Sequence, residues 1–371
     1  MKKVIILTSK GGEGLLSGSK AIADGLKNRY QGDVDISIVD FFETFGSIGK
    51  PFTRLYNLLL RKSLWINAIY VKIIHTLRLD SWFFFYRNVY PKFKRFLEKE
   101  KPDAIVITSK YLVSFISHYK ENHPGKPIIF VGNIDPGSSC VPLWFGKKID
   151  KHLIPTPECF DAYQKTGFDL DRAIQTKLVV RSQFKKASQL SQQSLREKYG
   201  LPSSSFIVLF TGSREGLEAF IPLITHVLNE SDVHCMVICG SNESLRSKLS
   251  SLPQTRLSVI GWTNKTYEYL RASDLVVSKP GKQTMKETIV SHVPMISLCY
   301  PKVMDQEKGN LEYMYNRNIL IEGRSLQDIV EKIRIFSKNS ELYQSHVNRL
   351  QEISAEIDSD FVAQAIWKEI A

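Results

Sequence analysis

The chain has 371 residues, 43% hydrophobic and 24% charged, which suits two domains that each build a core. Its 50 Lys and Arg against 38 Asp and Glu leave a net charge of +12, which points to an acidic partner: nucleic acid, an anionic membrane surface or a phosphorylated substrate. Five cysteines without metal spacing give no disulfide framework, the N-terminal apolar run is shorter than a signal peptide needs, and no uncharged stretch reaches the ~18 residues of a membrane span, so the expected location is the cytoplasm.

From the N-terminus the pattern is strand, glycine turn, helix. Lys2–Leu7 (KKVIIL) is a short apolar run, and a helix-like segment follows from Lys20 to Tyr30. Between them, Thr8–Leu26 reads TSKGGEGLLSGSKAIADGL and invites comparison with a phosphate-binding loop. Such a loop needs G-x-x-x-x-G-K-[ST], whose lysine reaches the phosphates and whose hydroxyl holds Mg²⁺. Here the order is Gly18-Ser19-Lys20, and Glu13 among the loop amides would oppose a phosphate, so the motif fails. What remains is a tight turn that joins strand to helix, or a glycine turn under a substrate cleft with a neighbouring residue acting on the substrate. Asp35–Phe41 (DISIVDF) is a second strand.

Residues 50–101 fit neither strand nor helix alternation. They hold twelve Lys or Arg against three acids, an excess of nine positive charges, interleaved with Trp65, Trp82, Phe83, Phe84, Phe85 and Tyr86. Cations mixed with amphipathic rings suit a helix lying in a lipid interface, with rings at headgroup depth and cations on anionic lipid. The competing readings are a helical cap whose aromatics are core, and a nucleic-acid surface, for which no recognisable module is present.

Further strands are expected at Asp103–Ser109 (DAIVITS), Lys126–Asn133 (KPIIFVGN) and Lys151–Glu158 (KHLIPTPE), separated by helix-like segments. Strands alternating with helices predict a parallel sheet covered on both faces. The first domain is placed at residues 1–182, a polar crossing at 183–200, and a second doubly wound domain at 201–350; a final helix at 351–371 is expected to pack back on the first domain. The second domain's strands are read at FIVLFTGS, CMVICGS, RLSVIGW, DLVVSKPG and PMISLCY. Ligands of open α/β sheets sit at the carboxyl ends of the strands.

The stretch Val259–Asn318 carries the chemistry. Gly261-Trp262 follows a strand, a strand runs into Lys279-Pro280-Gly281, Thr284 and Glu287 open the next helix, and Gln306-Glu307-Lys308-Gly309-Asn310 comes later. The amides at the Gly281–Thr284 helix start, with the positive end of the helix dipole, can hold a diphosphate, and Thr284 can add its hydroxyl. Glu287 can accept from ribose hydroxyls, Gly261 and Trp262 can read a uracil edge, and Gln306, Glu307 and Asn310 can bond sugar hydroxyls. Gly212 and Ser213, after the first strand of this half, can approach the phosphates, and Lys279 can neutralise a leaving diphosphate or simply be a solvated strand end.

This order of motifs resembles the nucleotide-sugar half of the GT-B glycosyltransferases, above all the monogalactosyldiacylglycerol synthase and processive diacylglycerol glucosyltransferase family, with MurG-type enzymes as cousins. The resemblance is strong over residues 259–318 and weaker but collinear before that. It implies two Rossmann-like domains facing across a cleft, a UDP-sugar donor in the second, and a lipid acceptor such as diacylglycerol in the first, on the cytoplasmic face of a membrane. It implies no cofactor: the helix dipole and donors can balance the leaving diphosphate without a metal.

The acceptor side departs from the family pattern. The family's glycine turn carries G-x-G-H, and the matching Gly12-Glu13-Gly14-Leu15 puts leucine at the histidine. The acceptor-facing T-D-F-x-x-H-x-x-W stretch matches Ile134–Trp144, where Val141 stands at the histidine and Trp144 remains; Lys282 also replaces the second glycine of K-P-G-G. Glu13 and Asp135 are the carboxylates expected to border the cleft as substitute bases. Two other function classes therefore stand beside the membrane transferase: a binding protein derived from such an enzyme, and a soluble transferase with a non-lipid acceptor.

Overall fold

The computed structural model describes residues 1–9, 13–45, 83–125, 127–138, 144–146, 148–212, 220–252, 255–299, 303 and 307–371, without the side chains of residues 13 and 83–87. The chain divides into two compact units, Met1–Arg181 with Asp358–Ala371, and Ser182–Ile357.

Unit 1 is a parallel sheet with strands β1 (Lys2–Thr8), β2 (Val34–Asp40), β3 (Ala104–Ile107), β4 (Ile128–Gly132), β5 (Lys151–Ile154) and β6 (Ala173–Gln175), in the order 2-1-3-4-5-6. Its helices are α1 (Glu13–Arg29), α2 (Phe41–Phe45), α3 (Phe83–Glu100), α4 (Val113–Asn122) and α5 (Pro157–Lys165). The inner strands are apolar on both faces because helices cover both: Val4–Leu7, Ala104–Ile107 and Ile129–Val131 are at most 0% exposed.

Unit 2 opens with α6 (Ser182–Ala187) and α7 (Gln192–Lys198) and then forms a second parallel sheet. Its strands are β7 (Ile207–Phe210), β8 (His234–Ile238), β9 (Leu257–Ile260), β10 (Leu275–Ser278), β11 (Met295–Leu298) and β12 (Ile321–Gly323), ordered 9-8-7-10-11-12. Its helices continue as α8 (Phe220–Glu230), α9 (Glu243–Ser250), α10 (Thr266–Ala272), α11 (Lys282–Ser291), α12 (Lys308–Asn316), α13 (Leu326–Lys338) and α14 (Ser340–Ile353). The two doubly wound parallel sheets expected from the sequence are thus both present.

Residues 183–200, expected as a polar crossing, instead belong to unit 2. Phe184 is fully buried, and Arg196, 6% exposed, forms an ion pair with Asp274 (Nη2–Oδ2 2.6 Å) that also receives the N–H of Ile207 at 2.7 Å. Gln192 adds a side-chain bond to the other carboxylate oxygen. A buried charged anchor of this kind carries no hydrophobic period, so hydropathy alone reads the segment as linker.

The chain returns to unit 1 in α15 (Ser359–Ile370), which lies against α1. Asp358 caps it through the N–H groups of Asp360 and Phe361, and Ser359 exchanges hydrogen bonds with the Val180 backbone. The contact with α1 is so close that a Cβ on Gly25 would collide with the carbonyl of Ser359, and Trp367 stacks on Tyr30 with ring centroids 4.3 Å apart.

Most of the basic insert, including Trp65 and Trp82, lies outside the described residues, as do the side chains of Phe83–Tyr86. The described turns of α3 send their aromatics inward: Phe93 meets Phe41, Phe115 and Tyr119, and Phe96 meets Phe45 at 5.2 Å. Lys92, Arg95 and Lys99 occupy the exposed face. Phe93 is core and Tyr90 and Phe96 pack half-buried against it, while the exposed positions hold these cations with Asn88, Pro91 and Glu98. Among the described residues no helix is long and apolar enough to cross a membrane.

Candidate functional site

In unit 2 the strand order reverses direction between β7 and β10, and the loops that leave these neighbouring strands open the crevice where such sheets bind nucleotides. After β7 comes Thr211-Gly212, with the Thr211 N–H bonded to Val277 O on β10 at 3.2 Å. After β10 comes Lys279-Pro280-Gly281, and α11 begins immediately with Gly281 at its N-cap. The residues that the sequence placed far apart are therefore set on adjacent strand ends.

Gly281 is informative because the fold itself does not need a glycine there. Its φ of −73° and ψ of 135° suit any residue, and an added Cβ would meet nothing nearer than Thr284 Oγ1 at 3.8 Å. The first amides of an α-helix have no intrahelical acceptor, and those of α11 follow directly on Gly281. The side chain of Thr284 is one turn further on the same face, and Glu287 lies deeper in α11 at 7% exposure.

Asn310, on α12, donates its amide to Pro280 O at 2.7 Å and is 4% exposed. It was expected to bond sugar hydroxyls; its NH₂ ties the start of α12 to the Lys279–Gly281 loop, and Oδ1 is the atom left for such a contact. Glu307 stands at the N-cap of α12, 9% exposed. Gln306 and Ser213 lie outside the described residues. Gly261 and Trp262 follow β9, two strands from the reversal point, roughly 10 Å by strand spacing. Trp262 is 64% exposed, a large ring left in solvent.

Helix α11 ends in a Schellman turn: Val293 N–H reaches Thr288 O and His292 N–H reaches Ile289 O, with His292 at φ 57° in the left-handed region. The turn delivers the chain into β11 and fixes the length of α11, and so the position of its N-terminus.

In unit 1 the corresponding reversal lies between β1 and β3. Their ends carry a hydroxyl ladder: Ser9 Oγ and Ser109 Oγ are 2.8 Å apart, and Ser19 Oγ and Thr108 Oγ1 are 2.7 Å apart. Glu13 is the first residue of α1, and its side chain lies outside the described residues. Leu15, at the expected histidine position, is 7% exposed in the core; Val141 lies outside the described residues. Asp135 follows β4 and is 7% exposed, and it accepts the indole N–H of the fully buried Trp144 at 2.9 Å. A buried indole needs an acceptor, so Asp135 and Trp144 are each other's partners across the loop. The sequence singled out both residues without indicating that they meet.

A model described as monogalactosyldiacylglycerol synthase matches residues 17–180, and one described as the glycosyltransferase family 28 C-terminal domain matches residues 206–355. Between them the two models span most of the chain, and each half is similar to a glycosyltransferase domain. The chain is 25% identical over 386 residues to a processive diacylglycerol beta-glucosyltransferase of Bacillus pumilus, covering 99% of this chain and 95% of that one. It is 28% identical over 331 residues to the chloroplastic monogalactosyldiacylglycerol synthase 1 of Arabidopsis thaliana, covering 84% of this chain and 60% of that one.

Among solved structures, HepE of Anabaena, determined with UDP, superposes with a TM-score of 0.60 at 11% identity over 100% of this chain and 99% of that one. The UDP-GlcNAc 2-epimerase of Neisseria meningitidis superposes at 0.61 with 14% identity, covering 99% of this chain and 100% of that one. These likenesses show the fold of the glycosyltransferase. That an epimerase shares it means the reaction must be read from site residues and family, not from architecture.

Proposed function

We propose that this glycosyltransferase moves a hexose from a UDP-sugar to a membrane lipid such as diacylglycerol. The observation that carries the donor half is the junction at Gly281, a glycine that the chain's own geometry does not require, at the start of α11 and beside the strand reversal. A diphosphate there takes the helix-start amides and the Thr284 hydroxyl, with the loop at Gly212 and Ser213 on its other side. Glu287 receives the ribose hydroxyls, Gly261 and Trp262 the uracil, and Gln306 and Glu307 the sugar. Asn310 holds the loop, and Lys279 offsets the charge that builds on UDP as it leaves.

The acceptor half is supported by the names of the relatives, which act on diacylglycerol or make monogalactosyldiacylglycerol. In the reaction the acceptor hydroxyl oxygen bonds the anomeric carbon, the bond to the diphosphate breaks, and the hydroxyl proton passes to a carboxylate, Glu13 or Asp135. The cations Lys92, Arg95 and Lys99 on α3 join the rest of the basic insert in holding the cytoplasmic face of an anionic membrane.

Purified protein incubated with labelled UDP-glucose, UDP-galactose or UDP-GlcNAc and diacylglycerol vesicles tests the reading. Transfer of label into lipid is expected; absence of any UDP affinity would sink it. One observation favours a second reading, a binding protein without turnover: Leu15 is buried where the family carries a histidine. UDP binding with no transfer to any acceptor selects that reading, and Glu13→Gln with unchanged turnover removes Glu13 as the base.

A further inference from the structure

Unit 1 contains a cavity of about 340 Å³ at the carboxyl ends of β1 and β2. Its lining is apolar at Leu16, Ile38, Val39 and Phe96 and polar at Thr8, Asp40, Glu43 and Thr44. The size lies at the lower end of small-molecule pockets.

Two oxygens of this lining, Thr8 Oγ1 and Asp40 Oδ2, are buried and make no hydrogen bond to the described residues. Thr8 is only 1% exposed. The hydroxyls beside it are matched, Ser9 with Ser109 and Ser19 with Thr108, so the strand ends are not generally loose. Asp40 is held rigidly: its Oδ1 accepts the Glu43 N–H at 2.8 Å and caps α2, which leaves the other oxygen fixed in direction. Buried polar atoms normally find partners, and two unmatched ones in one cavity mark a place shaped for a ligand.

The geometry points to this cavity as the subsite for the acceptor, and to its occupant as the glycerol end of a neutral lipid with a free hydroxyl. This rests on the lipid-acceptor reading above and adds the place and the selectivity. Asp40 Oδ2 accepts the hydroxyl hydrogen and in this subsite takes the place of Glu13 and Asp135 as the carboxylate that receives the proton, Thr8 Oγ1 donates to an oxygen beside it, and the first carbons of the acyl chains lie on Leu16, Ile38, Val39 and Phe96. The volume takes the glycerol and a few methylenes and leaves the rest of the tails to the membrane. The carboxylates of Asp40 and Glu43 repel a phosphate, so a glycerolipid with a free hydroxyl is accepted and its phosphorylated counterpart is refused. Phe96 belongs to α3, and Lys92 and Lys99, one turn before and after it, lie with Arg95 on the adjoining solvent-exposed side, so the helix that walls the cavity is also the one suited to meet anionic headgroups.

The test titrates 1,2-dioctanoylglycerol, its phosphatidic acid counterpart and UDP separately into the full chain and its variants. Asp40→Asn is expected to weaken dioctanoylglycerol binding roughly 10- to 100-fold, the range for a hydrogen bond to a charged group, and Thr8→Val roughly 3- to 10-fold. Val39→Trp fills the cavity and is expected to remove lipid binding. UDP affinity stays unchanged in all three. Thr8→Val also keeps or raises the melting temperature, because it removes a buried hydroxyl that the chain leaves unmatched. The proposal is overturned if the wild-type chain does not bind dioctanoylglycerol, if Asp40→Asn and Val39→Trp bind it as well as wild type, if the phosphatidic acid binds equally, or if Thr8→Val melts lower. Loss of UDP binding with lipid binding intact would sink the donor assignment and leave this subsite standing.

Discussion

Replacing Gly281 by alanine separates a glycine kept for the fold from one kept for a ligand. The new methyl meets only Thr284 Oγ1 at 3.8 Å and Lys279 O at 4.0 Å, which is ordinary contact, and φ −73° is open to alanine. In the unfolded chain alanine has less freedom to lose, which stabilises the variant by about 0.4–1 kcal/mol. At an N-cap alanine is worse than glycine by a similar amount, roughly 0.5–1 kcal/mol. The two offset each other, so the melting temperature is expected to stay within a couple of degrees of wild type. A diphosphate drawn against the helix-start amides has no such latitude. Holding it off by one methyl weakens one or two hydrogen bonds to a charged group, about 1.5–3 kcal/mol, or roughly 10- to 150-fold in UDP affinity. Thermal melting and calorimetric titration with UDP, run on the same preparation, read both quantities. Unchanged UDP affinity would refute the placement of the diphosphate, and a clear loss of melting temperature would show that the glycine serves the chain itself.

Gly25→Ala has the opposite signature: its Cβ would strike the Ser359 carbonyl, so α1 and α15 must part, and a loss of about 1–3 kcal/mol is expected in denaturant unfolding with UDP affinity retained. Arg196→Leu leaves Asp274 buried without its cation, and about 3–5 kcal/mol is expected to be lost in the unfolding of unit 2. His152, fully buried beside Tyr163, has its pKa pushed down to about 3, chiefly by burial, against an unfolded value near 6.5. The unfolded chain therefore binds this proton first, so the stability that the neutral imidazole contributes is full above pH 6.5 and declines as pH falls from there toward 3. His152→Phe should flatten that part of the stability–pH curve measured by denaturant titration, and an unaltered slope would remove His152 as its source.

The sequence by itself determined the two parallel sheets, because strands covered on both faces must be near-continuous apolar runs, as Val4–Leu7 and Leu275–Val277 are. It also located the Lys279–Glu287 junction, since a glycine between a strand and a helix start is a local signal that needs no knowledge of distant residues. It did not reveal the edge strands Ala173–Gln175 and Ile321–Gly323, which at three residues are too short to show a period. Nor did it reveal what depends on contact between remote segments. The ion pair of Arg196 with Asp274 turns a polar stretch into part of unit 2, and the bond from Asn310 to Pro280 joins α12 to the loop before α11. Asp40 was passed over, although an acid at a strand end with Glu43 three residues on is a helix-cap signature. Its second oxygen acquires meaning only when β1, α1 and α3 close a cavity around it, because burial is a property of the assembled layers and not of any run of residues.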